Sequence, residues 1–215
     1  SLAAVSAVDL GAVAIREAVS RAGLQPQDVQ EVIMGCVLPA GLGQAPARQA
    51  ALGAGLPLSA GCTTINKVCG SGMKATMLAH DLILAGSNEV MVAGGMESMS
   101  NAPYLLPKAR AGYRLGHGQM FDHMFLDGLE DSYSKENKGR LMGTFAEECA
   151  SHFSFSRQAQ DEFAIASTTR AQAAINNGDF TWEVVPVTVS GRKGDVVVDK
   201  DEQPLKAQID KIPSL

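Results

Sequence analysis

The sequence predicts an α/β fold in which helices are layered on a largely parallel sheet. Two short apolar runs, at 32–37 and 90–93, have the β-branched composition of strands that are covered on both faces. Helical patterns alternate with these runs through residues 1–100, and this alternation favours parallel strands. With 215 residues, of which 46% are hydrophobic, the chain is long enough to bury a sizeable core.

Three helices are predicted in the first hundred residues. Ser6, followed three residues later by Asp9, has the pattern of a helix N-cap, and apolar residues then recur at helical spacing up to Gly23. An alanine-rich stretch at 45–53 predicts the second helix. The third, at 71–85, is apolar most of the way round, so we expect it to be buried between layers.

The texture of the sequence changes after residue 100, where prolines, glycines and charges interrupt the rhythm of strands and helices. We therefore predict a core domain over 1–100 and a second, α+β domain over 101–215. Helices are expected at 142–153 and 156–177, and strands at 184–189 and 196–198. In the second of these helices, Ala159, Phe163, Ala166 and Ala173 are predicted to share one apolar face.

Composition excludes several classes of function. The net charge is −5 and no basic run is present, which argues against a nucleic acid or an anionic membrane surface as the main partner. No apolar run approaches the roughly 18 residues that span a bilayer. The four cysteines have neither metal-site spacing nor the density of a disulfide framework, so we expect reduced thiols, no metal, and a cytoplasmic or organellar-matrix location.

The segment 63–74 carries the strongest functional signal, because a β-prone run, a cysteine and a Gly-Ser-Gly turn lead directly into the third helix. The amides at a helix N-terminus favour a thiolate over a thiol. Glycines beside Cys69 would let a substrate carbonyl approach the backbone closely. Cys69 is therefore a candidate nucleophile; the alternative is a cysteine that only fills space in the core.

Two motifs in this chain resemble those of the thiolase family. Asn-Lys-Val-Cys-Gly-Ser-Gly-Met-Lys-Ala at 66–75 is similar to the family's nucleophile motif, and Gly-Gly-Met-Glu-Ser-Met-Ser at 94–100 to its second signature loop. The resemblance covers essentially the whole chain and is closest to the acetyl-transferring branch. It implies the family's layered fold, αβαβα in the full enzyme, of which this chain would be the N-terminal half with an inserted loop domain.

The resemblance also implies a reaction. Cys69 would accept an acyl group from an acyl-coenzyme A, so that two acetyl-CoA are reversibly condensed to acetoacetyl-CoA and coenzyme A, in a homodimer or homotetramer without a cofactor. By matching position, Leu129 and Met142 would line the pantetheine arm and Lys206 would meet a phosphate, with core packing and surface exposure as their alternatives.

Other residues are assigned no catalytic role. The family's base histidine and second cysteine belong to a C-terminal half, so we expect this chain to be truncated at both ends and inactive alone. His117, in Gly-His-Gly, is expected to be a turn or surface histidine, and Glu97 a buried, paired carboxylate. Two further functions stay open: another condensing enzyme such as a ketoacyl synthase, or a non-catalytic lipid-binding or dimerisation module.

Overall fold

The computed structural model describes residues 1–192 and 194–215 and has two compact units, Ser1–Gly139 and Arg140–Leu215. The sequence predicts a different kind of boundary near residue 100, between a core domain and an inserted domain. That boundary stays a prediction. No helix in the described part of the chain combines the length and the apolarity needed to cross a membrane.

The first unit is built on a three-stranded parallel sheet. Its strands are β1, Glu31–Gly35, β2, Gly61–Ile65, and β3, Met91–Gly95, in the order β2-β1-β3. In the register of the sheet, Gly35 pairs with both Ile65 and Gly95. The carboxyl ends of all three strands therefore lie side by side, which confirms the α/β fold with a parallel sheet.

Helices α1, Ala7–Arg21, α2, Pro46–Gly53, and α3, Ser71–Leu84, connect and cover these strands. Helix α1 begins as predicted, because the Ser6 hydroxyl accepts a hydrogen bond from the Asp9 amide at 3.1 Å. Helices α1 and α2 pack against each other. Residues of α1 and α2 form the core together with the central strand and the inner side of α3. The most buried core residues include Ala7, Ile15, Val32, Ala47, Ala50 and Ala75.

Helix α3 is more exposed than its sequence predicts. Only Ser71, Ala75 and Ala79 are buried, on the side that faces the sheet. Met73 and Leu84 are 68% and 74% exposed. The expectation of a helix buried between two layers is therefore wrong for this chain, because the sheet covers α3 on one side only.

The first unit ends in a less regular segment. Strands β4, Tyr104–Leu105, and β5, Phe121–Asp122, form a short antiparallel pair. A π-helical turn follows at Phe125–Leu129.

The second unit contains helices α4, Met142–His152, α5, Arg157–Asn177, and α6, Glu202–Lys206. Strands β6, Val187–Val189, and β7, Val196–Val198, pair as an antiparallel hairpin. Helix α5 has the predicted caps, with the Ser156 hydroxyl accepting from Ala159 and Gly178 in the left-handed conformation at φ 78°.

The apolar face predicted for α5 is not its packed side. Ala159, Phe163 and Ala173 are exposed, and only Ala166 of the four is half-buried. The packed side instead carries Ala164, Ile165, Thr168, Ala171 and Ile175, which are half-buried.

Candidate active site

Cys69 lies in the turn that joins the carboxyl end of β2 to the start of α3. Helix α3 begins at Ser71 with Gly70 as its N-cap, so the cysteine is two residues before the first helical residue. Its side chain is exposed and not part of a disulfide. The strand, turn and helix start predicted around Cys69 are therefore present, with the thiol on the accessible side.

The turn is held by a single buried hydroxyl. The oxygen of Ser71 accepts a hydrogen bond from the Lys67 amide at 2.8 Å and donates one to the Val68 carbonyl at 2.6 Å. The Gly70 amide also donates to the Lys67 carbonyl at 3.2 Å. These bonds tie the two residues before Cys69 to the two residues after it, at the start of α3.

Val68 has a strained backbone. Its φ of 50° lies in the left-handed region, where a β-branched residue is an outlier. The side-chain oxygen of Asn66 accepts a hydrogen bond from the Val68 amide at 2.9 Å. Strain of this kind is kept only where the surroundings enforce it, and it is concentrated at functional sites.

The start of α3 lies directly against the end of β1, because Gly35 has no side chain. A Cβ added to Gly35 would be 2.6 Å from the Cβ of Ser71 and 3.0 Å from the amide nitrogen of Gly72. Distances this short are not tolerated by packed atoms. Gly35 therefore sets how closely the helix that follows Cys69 approaches the sheet.

Glu97, two residues after β3, joins the end of that strand to the residues after β1. Its carboxylate accepts hydrogen bonds from the amides of Val37, at 2.8 Å, and Leu38, at 3.0 Å. The thiol of Cys36 donates to the same carboxylate at 3.7 Å. Glu97 is thus hydrogen-bonded, as the sequence predicts, but it is half-buried and not buried.

Cys36 is an unreactive type of thiol. Burial, together with the negative charge of Glu97, raises the pKa of Cys36 from its ordinary value of 9.0 to about 11. Burial also raises the pKa of Cys62, against the lowering effect of the Arg48 guanidinium. Since thiolates and not thiols are nucleophiles, both residues are poor candidates beside the exposed Cys69.

The histidines of the first unit are not hydrogen-bonded to Cys69. Among the described residues of that unit, no hydrogen bond joins His80, His117 or His123 to the sulfur. His117 is exposed in an irregular segment, as expected. His123 is buried; its Nδ1 lies 2.6 Å from the Asp127 carboxylate, and its Nε2 accepts from the Ala40 amide at 3.4 Å. Both nitrogens of His123 therefore have partners within the protein.

The predicted ligand-binding residues lie on three different elements. Leu129 is the half-buried last residue of the π-helical turn in the first unit. Met142 is the first residue of α4 and is 45% exposed. Lys206 ends α6, where its ammonium group forms an ion pair with Glu202 at 2.8 Å. Their roles in binding stay predictions.

Sequence reasoning missed the residues that shape the turn. Asn66 and Ser71 belong to the nucleophile motif, but only the structure reveals that their side chains bond the backbone of the two residues before Cys69. The contact between His123 and Asp127 could have been predicted from the sequence, since residues four apart meet on one side of a helical turn. In the portion of the chain that is described, no cluster of three or more His, Cys, Asp or Glu could hold a metal ion.

Comparison with known families and curated proteins gives a consistent result. The model of the thiolase N-terminal domain matches residues 1–215. The chain is 54% identical to acetyl-CoA acetyltransferase 2 of Arabidopsis thaliana, covering 94% of this chain and 50% of the relative. It is 51% identical to an acetyl-CoA acetyltransferase of Cupriavidus necator, covering 94% of this chain and 51% of the relative. The chain thus spans about half the length of the curated relatives it matches.

A solved structure agrees with the fold. The Acat5 thiolase of Ascaris suum, crystallised in complex with coenzyme A, superposes with a TM-score of 0.91 at 40% identity. The match covers 100% of this chain and 53% of that one. The similarity therefore extends over both units described above.

Proposed function

The chain belongs to the thiolase family, and from that premise we propose that Cys69 is the nucleophile of an acyltransferase that moves acetyl groups between coenzyme A thioesters. The observation that carries this proposal is an exposed thiol in a strained turn between a strand end and a helix start. Relatives that share about half their length with the chain are named acetyl-CoA acetyltransferases, which supports this substrate over those of other condensing enzymes.

In the first step, the sulfur of Cys69 attacks the carbonyl carbon of acetyl-CoA. A carbon–sulfur bond forms to Cys69, and the bond to the coenzyme A sulfur then breaks. The proton of the cysteine thiol ends on the departing coenzyme A. The negative charge that develops on the carbonyl oxygen is stabilised by nearby amides of the kind that a helix start provides.

In the second step, the acetyl group leaves Cys69. A second acetyl-CoA that has lost a proton from its methyl carbon attacks the acyl carbon, and the new carbon–carbon bond gives acetoacetyl-CoA. The proton removed from that methyl carbon returns to the cysteine sulfur. In the reverse direction, free coenzyme A takes the acetyl group from Cys69. The chemistry uses the coenzyme A thioester as a substrate and needs no resident cofactor.

We further propose that Leu129 and Met142 contact the pantetheine arm and that Lys206 meets a phosphate. The partial exposure of Leu129 and Met142 supports this role, because a ligand could cover them. Lys206 is 73% exposed, so its pair with Glu202 is a weak surface contact that a phosphate could displace.

Assembly and location are proposed on less direct grounds. Exposed apolar side chains on α3, such as Met73 and Leu84, favour a homodimer or homotetramer. The four free thiols suit a reducing compartment such as the cytoplasm.

The test of the proposed nucleophile is acylation by acetyl-CoA. The protein is combined with the remaining half of an acetyl-CoA acetyltransferase relative and incubated with acetyl-CoA at about pH 8. After digestion under acidic conditions, acetylation of each cysteine peptide is read by mass spectrometry. We expect the acetyl group on Cys69 and not on Cys36, because burial and the charge of Glu97 raise the pKa of Cys36 to about 11, so that very little of its thiol is ionised at that pH. Raising the pH toward 11 should make Cys36 progressively more reactive.

Two variants serve as controls. Cys69→Ala should abolish the labelled peptide, whereas Cys149→Ala, which changes an exposed cysteine on α4, should leave Cys69 acetylation intact. Equal acetylation of Cys69 and Cys149, or none at all, would contradict the transferase. No acetylation together with retained binding of coenzyme A would favour a non-catalytic module.

A further inference from the structure

We propose that Glu97 is a positioning residue that holds the Cys69 turn in its reactive conformation. This inference rests on the proposed function, since it concerns the same nucleophile. The hydrogen bonds of the Glu97 carboxylate go to Cys36, Val37 and Leu38, which lie outside the turn. It acts through the backbone after β1 and through the side chain of Asn66.

The first link joins the ends of two strands. Both carboxylate oxygens of Glu97 are used, one by the amide of Val37 and the other by the amide of Leu38. Hydrogen bonds to an ionised acceptor are roughly twice as strong as those between neutral groups. A single side chain thus fixes the path of the chain where it leaves β1.

The second link runs from that backbone to the turn. The carbonyl of Val37 accepts a hydrogen bond from the side-chain nitrogen of Asn66 at 3.4 Å. The oxygen of the same Asn66 side chain accepts from the Val68 amide at 2.9 Å. The carboxamide of Asn66 therefore bridges the segment held by Glu97 and the residue before Cys69.

The contacts that link Glu97 to Val68 are needed because the backbone of Val68 is strained. A left-handed Val68 would relax if its surroundings did not hold it, and its φ decides how the next residue is directed. Ser71 constrains the turn from the helix side, and Asn66 constrains it from the strand side. Without Glu97, Val37 would no longer hold Asn66 firmly, and the sulfur of Cys69 would lose its fixed direction relative to α3.

The neighbouring thiol supplies a matched control. The thiol of Cys36 donates to the same carboxylate, and among the described residues this side chain has no hydrogen bond to Asn66 or to the turn. Cys36→Ser keeps a donor at that position. It perturbs the surroundings of Glu97 while leaving the amide contacts of Val37 and Leu38 in place.

The experiment measures alkylation by iodoacetamide, with Cys149 in the same molecule as the reference thiol. In Glu97→Gln, a side-chain NH2 group replaces one carboxylate oxygen. It then faces the backbone amide of Val37 or Leu38, which is also a donor. The rate at Cys69 relative to Cys149 should fall at least about fivefold, because the sulfur would move away from the amides at the start of α3, which promote its reaction with an electrophile. Cys36→Ser should change this ratio less than twofold, and thermal melting verifies that each variant is folded.

A double-mutant cycle separates positioning from general loosening. Asn66→Ala, at an exposed position, should lower the same ratio, and adding Glu97→Gln should lower it no further if the two residues act along one path. An unchanged ratio in Asn66→Ala, or effects that multiply, would overturn the proposal even if Glu97→Gln failed to fold. The ratio does not depend on acetyl-CoA, so failure of the transferase would show separately, as absence of acetylation in the unaltered protein.

Discussion

Val68 concentrates strain at one residue beside the nucleophile. A non-glycine residue held in the left-handed region costs about 1–3 kcal/mol, and a branched Cβ lies at the upper part of such penalties. The side chain of Val68 is 39% exposed, so it repays little of this cost through burial. The left-handed conformation of Val68 therefore lowers stability while it sets the direction of the next side chain.

Replacing Val68 by glycine should stabilise the fold by about 1 kcal/mol. Glycine adopts φ 50° without strain, and the gain is reduced by the larger entropy that glycine loses on folding. Urea unfolding followed by circular dichroism measures the change. Val68→Ala serves as the control and should gain less, since alanine keeps a Cβ. A glycine variant less stable than the unaltered protein would mean that Val68 is not strained.

At the scale of elements, the site depends on how closely α3 approaches β1. The space for a side chain at Gly35 is occupied by Ser71 and by the backbone of Gly72. Ser71 is also the residue whose hydroxyl holds the Cys69 turn. Packing of the helix on the sheet and the shape of the turn are thus coupled through one side chain.

Gly35→Ala should destabilise the first unit by about 2 kcal/mol, because a methyl group there must push the start of α3 from the sheet. The alkylation rate of Cys69 should fall with it. Gly143→Ala is the matched control, since its added Cβ would contact nothing within 4 Å and alanine favours the helix α4. Chemical denaturation compares the two, and equal stability of both variants would show that α3 is free to shift.

Local signals in the sequence predicted the elements better than their packing. Caps such as Ser6 and Ser156 are formed by neighbouring residues, so their patterns identify helix starts directly. The face that a helix buries depends on distant residues. In α5, alanines are spread over several faces, so periodicity could not identify the packed side. In α3, the apolar composition predicted burial that only Ala75 and its small neighbours achieve.

The candidate site shows the same division. Cys69 was found from its motif, because a cysteine between a strand and a helix start is a local pattern. The contacts of Glu97 with Val37 and Leu38 join segments about 60 residues apart in the sequence. The close approach of Gly35 to Ser71 also joins two separate segments, which are nearer to each other in the sequence. A pattern within one segment cannot predict contacts between residues that are far apart in the sequence. They follow from the parallel register of the strands.

At the scale of the whole molecule, buried apolar side chains are concentrated in the first unit. The hydrophobic core runs from Ala7 to Met96. Among residues 140–192 and 194–215, Pro204 alone is buried. Since burial of apolar surface is the dominant favourable contribution to folding, the nucleophile is carried by the more stable part of the chain.

Hydrogen exchange should reveal this difference between the units. We expect the amides of Ile33 and Met34, in the central strand, to exchange last, because they open only with the core. Interior amides of α5 should exchange earlier, although α5 is the longest helix, since its length is not matched by buried contacts. Mass spectrometry of peptic fragments over a time course measures both sets. Equal protection of α5 and β1, after correction for intrinsic rates, would contradict this: helical hydrogen bonding would then compensate for an absent core, and stability would be shared evenly along the chain.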